Sequence, residues 1–305
     1  MLTLAAALLL SPVSTPVELA STPAALHGTL LTPESQTRAA AVILPGSGPT
    51  DRDGNSAQFG IRASTYRLLA EGLAERGVAS IRIDKRGIGE SAAAGPAEVD
   101  LRFNAYADDA RAWAAEAASK TGQPCAWLIG HSEGALVALA GAANGDAKIC
   151  GLVLLSGAGR PAGDVLREQL TALPEPLKTG AYDALTELEA GRLVADPPAE
   201  LAALFRPSVQ PYLISWLALD PAKLAAAYDG PIFVGQGATD IQVSLADAEA
   251  IKAAQPRADL VVWDGVNHVL KTAPAERAAN VATYMDPSLP LAPGVVDAVA
   301  DFVLK

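Results

Sequence analysis

The chain has 305 residues, half of them hydrophobic and 19% charged, which is a globular composition able to bury a sizeable core and excludes intrinsic disorder. Its formal net charge is −11 and it carries no basic cluster of five or more, so nucleic acid and anionic membrane surfaces are poor candidates as partners. No apolar run reaches the roughly 18 residues a membrane span needs.

The chain opens on an apolar stretch, Met1 to Leu10, followed by Ser11-Pro12 and small residues. It is read as a signal-peptide remnant over 1–16 without the basic leader, which would make the protein exported or periplasmic. A helix or strand packed on the domain is the alternative. Val17 to Leu31 reads as two short edge strands. Ala39–Leu44 is a continuous apolar run of the kind a buried parallel strand presents. It empties into Pro45-Gly46-Ser47-Gly48-Pro49-Thr50-Asp51-Arg52-Asp53-Gly54-Asn55, too rich in Gly and Asp for regular structure. A helix is predicted over Ser64–Arg76, a strand over Val78–Ile83, and a second Gly-bearing turn over Asp84–Ser91. Phe103–Lys120 reads as a helix closed by Thr121-Gly122.

The next stretch carries the chemistry. Trp127-Leu128-Ile129 ends in Gly130-His131-Ser132-Glu133-Gly134, and Leu136, Val137, Leu139 and Ala140 follow with the spacing of a buried helix. Strand, G-x-S-x-G and helix are the context of a nucleophile elbow. The turn is so tight that the serine is strained and its neighbours two residues away must lack side chains. Gly151–Leu155 is the following strand. Cys125 and Cys150, the two cysteines, each stand at the start of a strand-like run. If those strands are adjacent and parallel, the spacing suits a Cys125–Cys150 disulfide. Two buried free thiols are the alternative.

From Arg160 to Tyr228 the alternation breaks into helical patterns: Leu166–Leu173, Tyr182–Ala190, Pro198–Phe205 and Val209–Leu219. This segment, 160–228, is expected to be a cap inserted in a core formed by 17–159 and 229–305. The sheet pattern resumes at Pro231–Val234 and Leu260–Trp263, with helices near Leu245–Ala254 and Val295–Phe302. The whole predicts an α/β fold with a mostly parallel sheet and helices on both faces.

An activated serine needs a base, and the base an orienting acid. Of the three histidines, His131 adjoins the serine with its side chain aimed elsewhere and His27 sits in an edge strand. His268, in a loop after a strand, is the base by elimination. Asp240, just beyond the strand ending at Val234, is the favoured acid; Asp264, in the same loop as His268, is the rival and reads as a turn residue. The oxyanion donors expected are the backbone amides of Ser47 and Glu133. Asp51, Arg52 and Asp53 are expected to shape their loop. Tyr212 and Trp216 are candidates for the acyl pocket, with simple core packing as the alternative.

With the order Ser132, Asp240, His268 in place, the chain resembles the α/β-hydrolase superfamily over nearly its whole length after residue 17. The Gly46–Asn55 loop is similar to the signature loop of a bacterial serine-esterase subfamily grouped with serine-aminopeptidase-like hydrolases. The turn Asp84-x-Arg86-Gly87-x-Gly89-x-Ser91 and the segment Leu204–Leu213 are similar to that group's as well. Many superfamily members have His-Gly where this chain has Pro45-Gly46; a backbone donor survives that change. The resemblance implies hydrolysis of a small-molecule ester with short acyl or aryl groups, and no metal or organic cofactor. An aminopeptidase or amidase with the same triad, and a non-catalytic binding protein of this fold, are the competing readings.

Overall fold

A computed structural model describes residues 12–143 and 145–305. Eight strands form one sheet in the order β1-β2-β4-β3-β5-β6-β7-β8. They are β1 (Val13–Leu19), β2 (Leu26–Thr32), β3 (Ala39–Leu44), β4 (Val78–Ile83), β5 (Ala126–His131), β6 (Ile149–Leu155), β7 (Ile232–Gly237) and β8 (Asp259–Trp263). β1 pairs antiparallel with β2, and β2 antiparallel with β4; the remaining pairs are parallel. The apolar stretch Met1–Leu10 lies outside the described residues. β1 already pairs from Val13, so its first four residues overlap the segment expected to precede the folded domain.

Period-two alternation explains how six-residue apolar strands serve two cores. In β3, Ala40, Val42 and Leu44 point to one face and pack with Trp113, Leu136 and Leu139. Ala41 and Ile43 point to the other, against Leu69, Leu73, Val299 and Phe302. The helices that cover these faces are α1 (Thr65–Glu75), α2 (Phe103–Thr121) and α3 (Glu133–Ala142) in the first half of the chain. Between β6 and β7 come α4 (Ala162–Gln169), α5 (Leu177–Glu189), α6 (Ala202–Phe205), α7 (Gln210–Leu217) and α8 (Pro221–Ala227). The last are α9 (Leu245–Ala254), α10 (Arg277–Ala282) and α11 (Val295–Val303). No helix among the described residues is long and apolar enough to cross a membrane.

The helices of 160–228 sit directly on the core: Leu185, Leu188, Phe205, Leu213 and Leu217 join the cluster that holds Leu136 and Tyr106. Their boundaries depart from expectation where proline intervenes. α4 starts at Ala162, directly after Pro161, and not at Leu166. α8 was not foreseen; Asp220 caps it by accepting the Lys223 amide at 3.1 Å, with Pro221 in its first turn. At the N-terminal ends of β5 and β6, Cys125 and Cys150 form a disulfide with a Cα–Cα distance of 5.2 Å.

Candidate active site

The parallel strands bring their C-terminal ends to one edge, and the site is assembled there. Leu44 lies beside Gly130, and His131 beside Leu155. The chain then turns sharply into α3. Ser132 at the turn has φ 55° and ψ −122°, a conformation costing a non-glycine residue about 1–3 kcal/mol. Its amide donates to the Leu155 carbonyl at 2.9 Å, which anchors the turn to β6. The two glycines are required by close approach of backbone. A Cβ on Gly130 would stand 2.1 Å from the Gly134 carbonyl oxygen, and one on Gly134 2.2 Å from the Leu44 oxygen.

His268 follows β8, in a loop tied down on several sides. Asn267 donates to Thr283 Oγ1 at 2.7 Å and accepts the Lys271 amide at 3.1 Å. Lys271, fully buried, reaches the Asp286 carbonyl at 2.8 Å. His268 Nδ1 and Asp240 Oδ2 are 2.8 Å apart. Asp240 is itself fixed: its Oδ1 accepts the amides of Gln242 and Val243 at 2.8 and 3.0 Å. Burial works to raise the Asp240 pKa, but His268 and those two amides outweigh it, and the carboxyl titrates below its ordinary value. Asp264 is exposed and has no part in this arrangement.

Ser132 and His268 line one cavity of about 840 Å³, with Gly46, Ser47, Glu133, Tyr212 and Trp216 also in its wall. Neither the Ser47 nor the Glu133 amide donates to a backbone carbonyl among the described residues. Gly46 is pressed against Ser132: a Cβ there would meet Ser132 Cβ at 3.2 Å. His27 is not among the residues lining this cavity; its Nδ1 is 3.9 Å from Glu18 on the edge strand.

The expected loop-shaping residues tie the two glycine-bearing turns together. Asp51 Oδ1 accepts the amides of Asp53 and Asn55 at 2.9 and 2.8 Å. Arg52 reaches across to Asp84, with Nη2 2.6 Å and Nε 3.0 Å from Oδ2, and its amide meets Oδ1 at 2.8 Å. Asp53 pairs with the buried Arg82.

Three contributors were not anticipated from the sequence. His131 Nε2 lies 2.7 Å from the His268 carbonyl, and a carbonyl only accepts, so Nε2 carries the proton. Burial, and then the neighbouring His268, push the His131 pKa down to about 3, so the ring is neutral and Nδ1 is an acceptor. Tyr66 donates to that Nδ1 at 2.9 Å and accepts the Gly46 amide at 2.9 Å. Burial raises the Tyr66 pKa, which keeps the phenol protonated for this role. A chain of three hydrogen bonds therefore joins the Gly46 loop, the elbow and the backbone of His268. Lys85, just past β4, is buried; its Nζ donates to the Gly46 carbonyl at 2.6 Å and stands 3.3 Å from Glu133 Oε1. Position at a strand's C-terminal end was the one available signal for Lys85; Tyr66 had none.

Residues 59–264 match the family described as serine aminopeptidase, S33. No curated protein matches the chain. Among solved structures, Est1E from Butyrivibrio proteoclasticus with ferulic acid bound has 16% identity and a TM-score of 0.59, covering 94% of this chain and 96% of that one. An esterase of Pyrococcus furiosus has 19% identity and a TM-score of 0.58, covering 96% and 90%. A dienelactone hydrolase from Anabaena variabilis has 16% identity and a TM-score of 0.56, covering 96% and 97%.

Proposed function

The chain belongs to the serine aminopeptidase S33 family of α/β hydrolases, and from that membership we propose that it is a serine carboxylesterase acting on short acyl or aryl esters. The observation that carries the reading is the His268–Asp240 bond of 2.8 Å, in the cavity that the strained Ser132 also lines. His268 Nε2 takes the Ser132 proton as the hydroxyl oxygen attacks the ester carbonyl. The Ser47 and Glu133 amides receive the negative oxygen of the tetrahedral intermediate. Collapse expels the alcohol, protonated by His268, and leaves an acyl-enzyme. Water, deprotonated by His268, then attacks the acyl carbonyl and restores Ser132. Asp240 holds the imidazole in the tautomer with its proton on Nδ1. Residues 160–228 act as a cap over the acyl side, with Tyr212 and Trp216 in the pocket wall.

Charge in the cavity favours an ester over a substrate bearing a free amine. The carboxylates lining it are Glu98 and Glu133, and each is already paired, with Arg206 and Lys85. Lys85, Arg86, Arg160 and Arg206 line the same cavity. An ammonium group would find no uncommitted carboxylate there. The aromatic acid bound to Est1E adds support for aryl esters, as a likeness of fold.

A comparison of p-nitrophenyl acetate and butyrate with aminoacyl p-nitroanilides tests the assignment. The esters should be turned over with at least about a hundredfold higher kcat/KM, a difference of roughly 3 kcal/mol in transition-state stabilisation. Ser132→Ala should remove both turnover and fluorophosphonate labelling without unfolding. More than a few per cent of wild-type activity in that variant, or preference for the anilides, would overturn the proposal.

A further inference from the structure

Lys85 is a buried amine that the mechanism above leaves without a task. Its Nζ has three neighbours: the Gly46 carbonyl at 2.6 Å, Glu133 Oε1 at 3.3 Å, and the Tyr106 ring, whose centroid is 5.3 Å away. One of those contacts falls on Glu133, a proposed oxyanion donor, and another on the peptide group that carries the Ser47 donor. The carbonyl of Gly46 and the amide N–H of Ser47 belong to the same peptide group. The cis peptides among the described residues are Thr22–Pro23 and Glu175–Pro176, so the Gly46–Ser47 bond is trans. In a trans peptide the C=O and N–H vectors point in opposite directions in one plane. Whatever fixes the Gly46 oxygen therefore fixes the line along which the Ser47 N–H points.

Resting on the esterase reading, we infer that Lys85 is a positioning residue for the oxyanion hole. By holding the Gly46 oxygen it sets the plane of the Gly46–Ser47 peptide and directs the Ser47 N–H into the cavity. A hydrogen bond accepted at a peptide oxygen also polarises the amide and strengthens its N–H as a donor. The ion pair to Glu133 binds the same side chain to the residue supplying the second amide. One lysine thus spans the two backbone segments between which the tetrahedral oxyanion forms. Tyr66 completes the grip by accepting the N–H of the preceding peptide, at Gly46. Gly46 is thus held at its carbonyl by Lys85 and at its amide by Tyr66. This accounts for a buried lysine where an apolar residue would fill the volume at less desolvation cost.

The test is Lys85→Met in the full chain, which keeps the bulk and removes the donor. Turnover of p-nitrophenyl butyrate should fall by about 10–100-fold in kcat with KM changed less than about threefold. That is less than the roughly 10²–10³-fold cost of deleting an oxyanion donor outright. A second readout separates positioning from general loosening. The acyl-enzyme, trapped at acid pH from a ¹³C-carbonyl cinnamoyl ester, should show its carbonyl infrared band at higher wavenumber in the variant, because a misdirected donor polarises the carbonyl less. Lys85→Gln, with a shorter polar end, takes the same measurements should Lys85→Met not fold. A folded variant with wild-type kcat, or with lower kcat and an unmoved carbonyl band, overturns the inference. A wild-type protein that neither hydrolyses esters nor reacts with fluorophosphonate fails at the earlier step, which distinguishes the two.

Discussion

A neutral His131 can join Tyr66 to the His268 backbone only while it excludes a second proton. In the unfolded chain a histidine titrates near its ordinary value of 6.5, against about 3 here, with burial the main cause. The native state therefore binds fewer protons below pH 6.5, and its stability falls as pH drops from there toward 3. This one group contributes a slope of up to about 1.4 kcal/mol per pH unit in that window. Asp240, with its lowered pKa, adds to the loss as pH falls through its own titration. Tm measured against pH should decline steeply below about pH 6, the slope following from one extra proton taken up on unfolding. In His131→Asn the decline should be visibly shallower; parallel curves for the two proteins would show that His131 stores no such energy. Asp240→Asn, which leaves shape but frees the imidazole to adopt the wrong tautomer, should lower kcat by about 10³–10⁴-fold with little change in KM. The pairing of His268 with Asp240, and the placing of Ser132 and His268 on one cavity, could be read from the sequence because each of the three follows an apolar strand and because histidines are scarce. Lys85, Tyr66 and the role of His131 could not. They act by holding backbone atoms of residues distant in the chain, Gly46 and His268, and no spacing announces that.

Strands and helices differ in how much of themselves they disclose. β3, β4 and β7 are buried along their whole length. The apolar parts of such strands stand out, so the bounds of β3 and β4 match those read from the sequence, while β7 runs three residues past its apolar part, through Gly235, Gln236 and Gly237. Between Arg160 and Tyr228 the helices are short and only partly buried, and prolines punctuate them, so periodicity places them loosely. The Asp220-Pro221 pair, a cap residue followed by a helix-starting proline, was the local signal that would have located α8. The staple between β5 and β6 belongs to this scale. Cys125 and Cys150 close a loop with a sequence separation of 25. In the chain-entropy treatment a loop of that size is worth about 3.5 kcal/mol. Both cysteines are partly exposed, so dithiothreitol can reach them. Reduction should lower Tm by several degrees; an unchanged Tm with two titratable thiols would show that the bridge constrains little.

For the molecule as a whole, the division of labour runs along the strands. The candidate site collects at their C-terminal ends, on loops from β3, β4, β5, β7 and β8, with helices from 160–228 in the wall of its cavity. Those helices are moored at the rim. Arg160 meets Asp247 on α9, with Nη2 2.7 Å from Oδ2, and Arg206 pairs with Glu98. Asp247 is fully buried while Arg160 is partly exposed, so this mooring ties the rim to the interior. The disulfide sits at the other end. Six residues of extended chain, Ala126–His131, separate Cys125 from Ser132, roughly 20 Å at strand rise. Reduction should therefore leave ester turnover at 25 °C unchanged while the protein melts earlier on heating. Redox surroundings then govern how long the molecule survives, and have no say in how fast it works.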